Sequence, residues 1–205
     1  MKATRSAART ILGLVTAAAL PLLVLSACGN ADGAASSGGS GSSAGGSGDQ
    51  ASTSAAALDT ARATFAGTGG QQIGSATLIG TPHGVLVQAS LEGFPSGTHA
   101  FHLHETGSCS PDFTASGGHF NPHGTAHGFF DPEGRHVGDL PNIHVPGSGS
   151  LEIEYLADLA TLREGEAALL DDDGAAIVVH EGPDDYMTDP AGGGGERIAC
   201  AVIRG

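Results

Sequence analysis

Residues 119–139 read His119-Phe120-Asn121-Pro122-His123-Gly124-Thr125-Ala126-His127-Gly128-Phe129-Phe130-Asp131-Pro132-Glu133-Gly134-Arg135-His136-Val137-Gly138-Asp139. His119, His123 and His127 stand at i, i+4 and i+8, a spacing that would suit a zinc site on one helix face. Gly117, Gly118, Pro122, Gly124 and Gly128 rule that helix out, because proline removes a backbone donor and glycine is costly in a helix interior. The stretch therefore reads as a long loop that needs something other than a backbone ladder to hold its shape. A divalent metal taken by His119, His127, His136 and Asp139 meets that need, and three imidazoles with a carboxylate form a tetrahedral set suited to zinc.

Outward from this loop the pattern is β throughout. Short apolar or alternating runs cover residues 61–66, 73–79, 85–91, 99–104, 151–156, 175–180 and 197–203, with glycine and proline between them. No segment offers an amphipathic helix of a dozen residues. Many short strands with such turns predict an all-β fold, an antiparallel Greek-key barrel or sandwich. Two stretches, 106–138 and 181–196, read as long functional loops. The four glycines from Gly192 do not form a phosphate loop, since no Lys-Ser or Lys-Thr and no helix follow.

His102 and His104 lie two apart on a predicted strand, so both leave by one face. His180 ends the apolar run Ile177-Val178-Val179. With His119 they give four imidazoles, a nitrogen set suited to copper(II). His119 is then asked to serve both metals, which an imidazole can do only as an imidazolate with one ring nitrogen to each.

Six motifs, His102-Leu103-His104-Glu105, Gly118-His119-Phe120-Asn121-Pro122, His127-Gly128, Arg135-His136-Val137-Gly138-Asp139-Leu140, Val179-His180-Glu181 and Arg197-Ile198-Ala199-Cys200-Ala201-Val202-Ile203, occur in this order. Together, from about Ala61 to Gly205, they resemble the copper-zinc superoxide dismutases, in particular the exported bacterial lipoprotein type. The resemblance implies the cofactors copper and zinc. It puts copper on His102, His104, His119 and His180, and zinc on His119, His127, His136 and Asp139, with His119 bridging. It implies a Cys109–Cys200 disulfide, an outer carboxylate at Asp184 linking a copper histidine to a zinc histidine, and Arg197 beside the copper as guide for the superoxide anion. The implied reaction oxidises one superoxide to oxygen and reduces a second to hydrogen peroxide, with His119 carrying a proton between the two halves. Arg197 and His119 are the catalytic residues on this reading. His99 matches a structural histidine of the family. His83, His123 and His144 carry no metal role, Arg135 reads as a structural loop residue, and Arg163 reads as surface.

The ends of the chain differ from its middle. Residues 1–27 carry Lys2, Arg5 and Arg9 and then an apolar run from Ile11 to Leu25, too short for a comfortable membrane span. Leu25-Ser26-Ala27-Cys28 resembles the cleavage site of a bacterial lipoprotein, with Cys28 the lipidated residue. Residues 28–57 then form a Gly/Ser/Ala tether reaching roughly 30 Å, and the domain occupies 58–205. With Cys28 lipidated, Cys109 and Cys200 remain as an even pair in an oxidising compartment. The protein is expected outside the cytoplasm, held to the cell membrane by lipid on either the periplasmic or the outer face. Beyond Cys28, five arginines face 22 acidic residues, a formal charge of −17. Nucleic-acid binding is excluded on that balance, because a phosphate backbone needs a basic face. The sequence leaves a homodimer open. A non-catalytic, metal-buffering β domain is the competing function, and Arg197 argues against it, since a metal store has no use for an anion guide.

Overall fold

The structure is a computed structural model that describes residues 58–205. The expected signal peptide of residues 1–27, the lipidated Cys28 and the tether to residue 57 lie outside the described residues. Among the described residues no helix is long and apolar enough to cross a membrane.

Nine strands form in chain order: β1 (Thr60–Gly67), β2 (Gln72–Thr81), β3 (Gly84–Leu91), β4 (Gly97–His99), β5 (Phe101–His104), β6 (Ile143–Val145), β7 (Leu151–Ala157), β8 (Ala176–His180) and β9 (Arg197–Val202). Seven of them make one antiparallel sheet in the order β5-β8-β9-β1-β2-β3-β7, and β4 pairs with β6 as a separate ribbon. Strand β7 returns beside β3, while β8 enters between β5 and β9. These are the crossed connections of a Greek key. The predicted all-β, Greek-key class is what forms.

The alternation read from sequence sets the faces. In β1, Ala61, Ala63 and Phe65 are buried while Arg62 and Thr64 are exposed. The core joins Phe65, Leu78, Val85, Val87, Leu91, Phe101, Leu103, Ile143, Leu169 and Ile177, all essentially without solvent contact. Phe65 and Phe101 meet at 6.3 Å, and Tyr155 stands edge-on to Phe101 at 6.2 Å. Each such side chain contributes about 1.5–3 kcal/mol by burial.

Three differences from the sequence reading concern elements. The single run expected at 99–104 divides at Ala100. There the chain passes from the ribbon into the main sheet, Ala100 N–H donating to Gly182 O (2.8 Å) and Ala100 O accepting from His180 N–H (3.0 Å). Strand β6 was too short to show an alternation. A third ordered loop, residues 158–175, buries Ala160, Leu162, Ala167, Ala168 and Leu169, and its apolar residues lack a two-residue period because they join the core from a loop rather than line a sheet.

Candidate metal centre

The stretch of residues 119–139 is pinned to strand β5. Isolated antiparallel bridges join His104 to His119 and His102 to Asp139. A short 3-10 turn, Phe113–Ser116, capped by Asp112, precedes this stretch. The chain thus folds back along its own metal strand, and residues far apart in sequence come together.

Two groups of side chains result. His102, His104, His119 and His180 bring one nitrogen each within 4.8 Å of one another, as do His119, His127, His136 and Asp139 with one ligand atom each; all seven are buried. These are the two predicted sets, with His119 in both. Hydrogen bonding decides which nitrogen each ring turns inward. His102 Nε2 contacts Asp184 Oδ2 at 2.8 Å, His104 Nδ1 contacts Gly117 O at 3.0 Å, and His180 Nδ1 contacts Gly195 O at 3.1 Å. Their other nitrogens, His102 Nδ1, His104 Nε2 and His180 Nε2, are buried without any hydrogen-bond partner, and so is His119 Nε2. Buried polar atoms are seldom left unpaired. Four of them converging from four rings are the donor set a metal of nitrogen preference completes.

The second group fits zinc by a different measure. Asp139 Oδ1 lies 2.9 Å from His119 Nδ1, 3.1 Å from His127 Nδ1 and 3.3 Å from His136 Nδ1, and His136 Nδ1 lies 3.4 Å from His119 Nδ1. His127 Nδ1 approaches Asp139 at an angle that makes no hydrogen bond. A tetrahedron with metal–ligand distances of about 2.0–2.1 Å has edges of about 3.3 Å. These short contacts are the edges of such a figure.

The electrostatics agree. Burial pushes His102 down to about 4, against the pull of Asp184, and takes His180 to about 4. His104 falls to about 2 through burial, then the nearby His119 and Arg197. These rings are neutral at pH 7 and hold lone pairs ready for donation. His127 differs. Burial opposes its charge, but Asp139 and Asp184 outweigh burial and raise it to about 9 in the metal-free chain. Burial would raise Asp139 and Asp184, yet the facing imidazoles hold both well below the usual carboxylate range.

Asp184 spans the two groups, its Oδ2 on His102 and its Oδ1 on His127 Nε2 at 3.0 Å. Arg197 lines one cavity with His104, His119 and His180, a space of about 390 Å³ that also includes Glu105, Pro190 and Ala191. Its Nη1 donates to Phe113 O and Ser116 Oγ and its Nη2 to Gly117 O. Guanidinium has five N–H groups, so two keep no protein partner. Cys109 and Cys200 form the disulfide, which ties the loop to β9. Sequence reading missed Asn142, whose amide grips the Asp184 backbone, and Asp189, which accepts from His127 N–H at 2.7 Å. Neither carries a local motif. His83, His123 and His144 stand outside both groups.

The fold and these two adjoining groups define an all-β, Greek-key protein with two sets of metal-type donors that share one histidine. The family model for copper/zinc superoxide dismutase matches residues 72–203, and the chain belongs to that family, whose cofactors are copper and zinc. Superoxide dismutase [Cu-Zn] 2 of Aquifex aeolicus is 47% identical over 147 residues, covering 70% of this chain and 86% of that protein. Superoxide dismutase [Cu-Zn] of Caulobacter vibrioides is 44% identical over 139 residues, 66% of this chain and 80% of its own. Among solved structures, a doubly substituted superoxide dismutase-like protein from Bacillus subtilis superposes with a TM-score of 0.68 at 36% identity, covering 70% of this chain and 97% of that one.

Proposed function

We infer that the chain is a superoxide dismutase in which His102, His104, His119 and His180 hold copper, and His119, His127, His136 and Asp139 hold zinc. The observation that carries this reading is His119: one ring nitrogen is turned into each donor set, and its Nε2 is buried without a partner. Bound copper supplies one-electron redox chemistry, and zinc supplies a fixed positive charge. The protein's own groups do the rest. Arg197 offers its two unpartnered N–H groups to the anion at the cavity wall. The backbone carbonyls of Phe113 and Gly117 hold the guanidinium in place. His119 Nε2, facing the same cavity, holds one proton between the half-reactions and delivers it to the reduced superoxide, whose second proton comes from water, while its Nδ1 stays in the zinc set beside Asp139. The test is superoxide consumption by the copper- and zinc-loaded protein beside Arg197→Ala. Fast turnover that drops on removing Arg197 is expected. Full metal loading without turnover would favour the metal-buffering alternative.

The same reading extends to location. Its support is the basic start, the apolar run to Leu25 and Cys28 directly after Leu25-Ser26-Ala27. The chain is exported, cut before Cys28 and anchored there by lipid, with residues 28–57 as tether and 58–205 as the enzyme, so that it protects the cell envelope from superoxide arising outside the cytoplasm. Cys28→Ser should move the protein from the detergent phase to the aqueous phase. Unchanged partitioning would defeat the anchor.

A further inference from the structure

Tyr186 has an unusual position beside the bridging carboxylate. It is the only non-glycine residue with positive φ among the described residues, at 62°. An L-residue with a large side chain keeps that conformation only where its surroundings over-determine it. Three hydrogen bonds and two ring contacts do so here. Tyr186 N–H donates to Asp184 Oδ1 at 2.6 Å, its phenol oxygen accepts from Asn142 N–H at 2.7 Å, and its carbonyl accepts from Phe130 N–H at 3.3 Å. Its ring stands edge-on to Phe129 at 5.2 Å and to Phe130 at 6.0 Å.

These contacts close a ring around Asp184. Asn142 Nδ2 donates to Asp184 O at 2.9 Å and Asp184 N–H donates to Asn142 Oδ1 at 2.8 Å. Asn142 N–H then returns to the Tyr186 hydroxyl, while Tyr155 OH donates to Asn142 O at 2.9 Å. Every polar group of Asn142 is thereby engaged, and the residue is buried. The opposite wall is equally committed. Gly128, at φ +97°, follows the zinc-set His127, and a Cβ there would stand 2.1 Å from Tyr186 O. The loop of residues 181–196 and the loop bearing His127 therefore meet through the Tyr186 backbone.

We propose that Tyr186 is a positioning residue for both metal sites, acting through Asp184. Its backbone aims one carboxylate oxygen, and its hydroxyl, through Asn142, holds the Asp184 backbone from which that carboxylate hangs. His102 and His127 are oriented by the two oxygens of the same group, so a turn of Asp184 disturbs both. The proposal rests on the dismutase reading, which makes these histidines ligands of copper and zinc.

The test is a double-mutant cycle in the full chain: parent, Tyr186→Phe, Asp184→Asn and the pair together. Phenylalanine keeps the ring against Phe129 and Phe130 and removes only the hydroxyl, leaving a buried Asn142 N–H unpaired. Zinc release to a chelator and the copper(II) electron paramagnetic resonance spectrum are read alongside turnover. Tyr186→Phe should speed zinc release about tenfold, the lower end for partners that orient metal ligands, and shift the copper spectrum. In the Asp184→Asn background the same change should alter zinc release by less than about twofold, since residues acting as one unit are not additive. An unchanged copper spectrum and zinc release in Tyr186→Phe would overturn the proposal, as would a full tenfold effect in the Asp184→Asn background, which would mark an ordinary packing role. A parent chain that takes up no zinc would overturn the dismutase reading and this proposal with it, whereas a zinc-holding parent with a silent Tyr186→Phe would remove only the role of Tyr186.

Discussion

On the proposed reading, single residues divide between those that would hold metal and those that would face the substrate, and the two kinds should respond differently to change. The hydrogen bonds of Arg197 go to Phe113 O, Ser116 Oγ and Gly117 O and to none of the seven donor residues, so Arg197→Ala should keep both metals while turnover falls by roughly tenfold or more, the scale of removing a charged partner. Arg197→Lys should recover only part of the loss, because an ammonium cannot reach Phe113 O, Gly117 O and an anion in one plane. Metal content with steady-state rates decides this. The buried imidazoles predict a pH effect in the metal-free chain. His102, His104 and His180 have folded values of about 4, 2 and 4, against an ordinary 6.5. Between pH 6.5 and 4 the unfolded chain binds more protons at these rings, so stability falls as pH falls through that window. His127, raised to about 9, contributes its full stabilisation below pH 6.5 and adds no slope there. Asp139 and Asp184, depressed below their ordinary 3.8, lose their contribution only at lower pH. The urea midpoint of the metal-free protein should therefore drop steadily from pH 6.5 to 4.5. A flat midpoint would mean the rings are hydrated and not buried as described.

At the level of elements, the glycine run in the loop of residues 181–196 has a steric cause that its composition conceals. Gly192 has φ +64°, and a Cβ there would stand 1.8 Å from Asp184 Oδ1 and 2.7 Å from His127 Nε2. Gly192→Ala must push the bridging carboxylate aside, and zinc retention on dialysis against chelator should fall at least tenfold while the β sheet, read by far-UV circular dichroism, is unchanged. This is also where sequence reading stops short. The strands were visible because β1, β2, β3 and β7 have one wet and one dry face, which writes a period of two into the chain. The two donor groups were visible because His-x-His on a strand and a histidine closing an apolar run are local patterns. Asn142 and Tyr186 were not, because their work depends on hydrogen bonds 42 and 44 residues apart along the chain. The break at Ala100 was hidden for a related reason. Alternation continues through His99–His104 while the partner strand changes from β6 to β8, and pairing is not a property of either residue alone.

Over the whole molecule, charge works against the substrate. The chain beyond Cys28 has only five arginines against 22 carboxylates and no lysine. Two of those arginines are spent elsewhere, Arg135 on Asp158 and Arg163 on Asp59. Arg197 is left as the one cation in the copper-side cavity, with Glu105 on the same wall. A superoxide anion approaching from a distance meets net repulsion and is attracted only within the last few ångströms. Ionic strength separates these two ranges. The Debye length is about 30 Å at 0.01 M salt and about 8 Å at 0.15 M, so added salt screens the repulsive surface first and reaches the short contact with Arg197 least. Enzymes whose clefts attract the substrate at long range lose rate steeply as salt rises. This one should show kcat/KM that stays level or rises modestly between 0.01 and 0.15 M salt. Placing a lysine at Glu105 tests the same balance: Glu105→Lys should raise kcat/KM at low salt and introduce the missing negative salt slope. A parent enzyme whose rate already falls steeply with salt would show that the local field at Arg197 outweighs the acidic surface at long range, and the steering argument would be wrong.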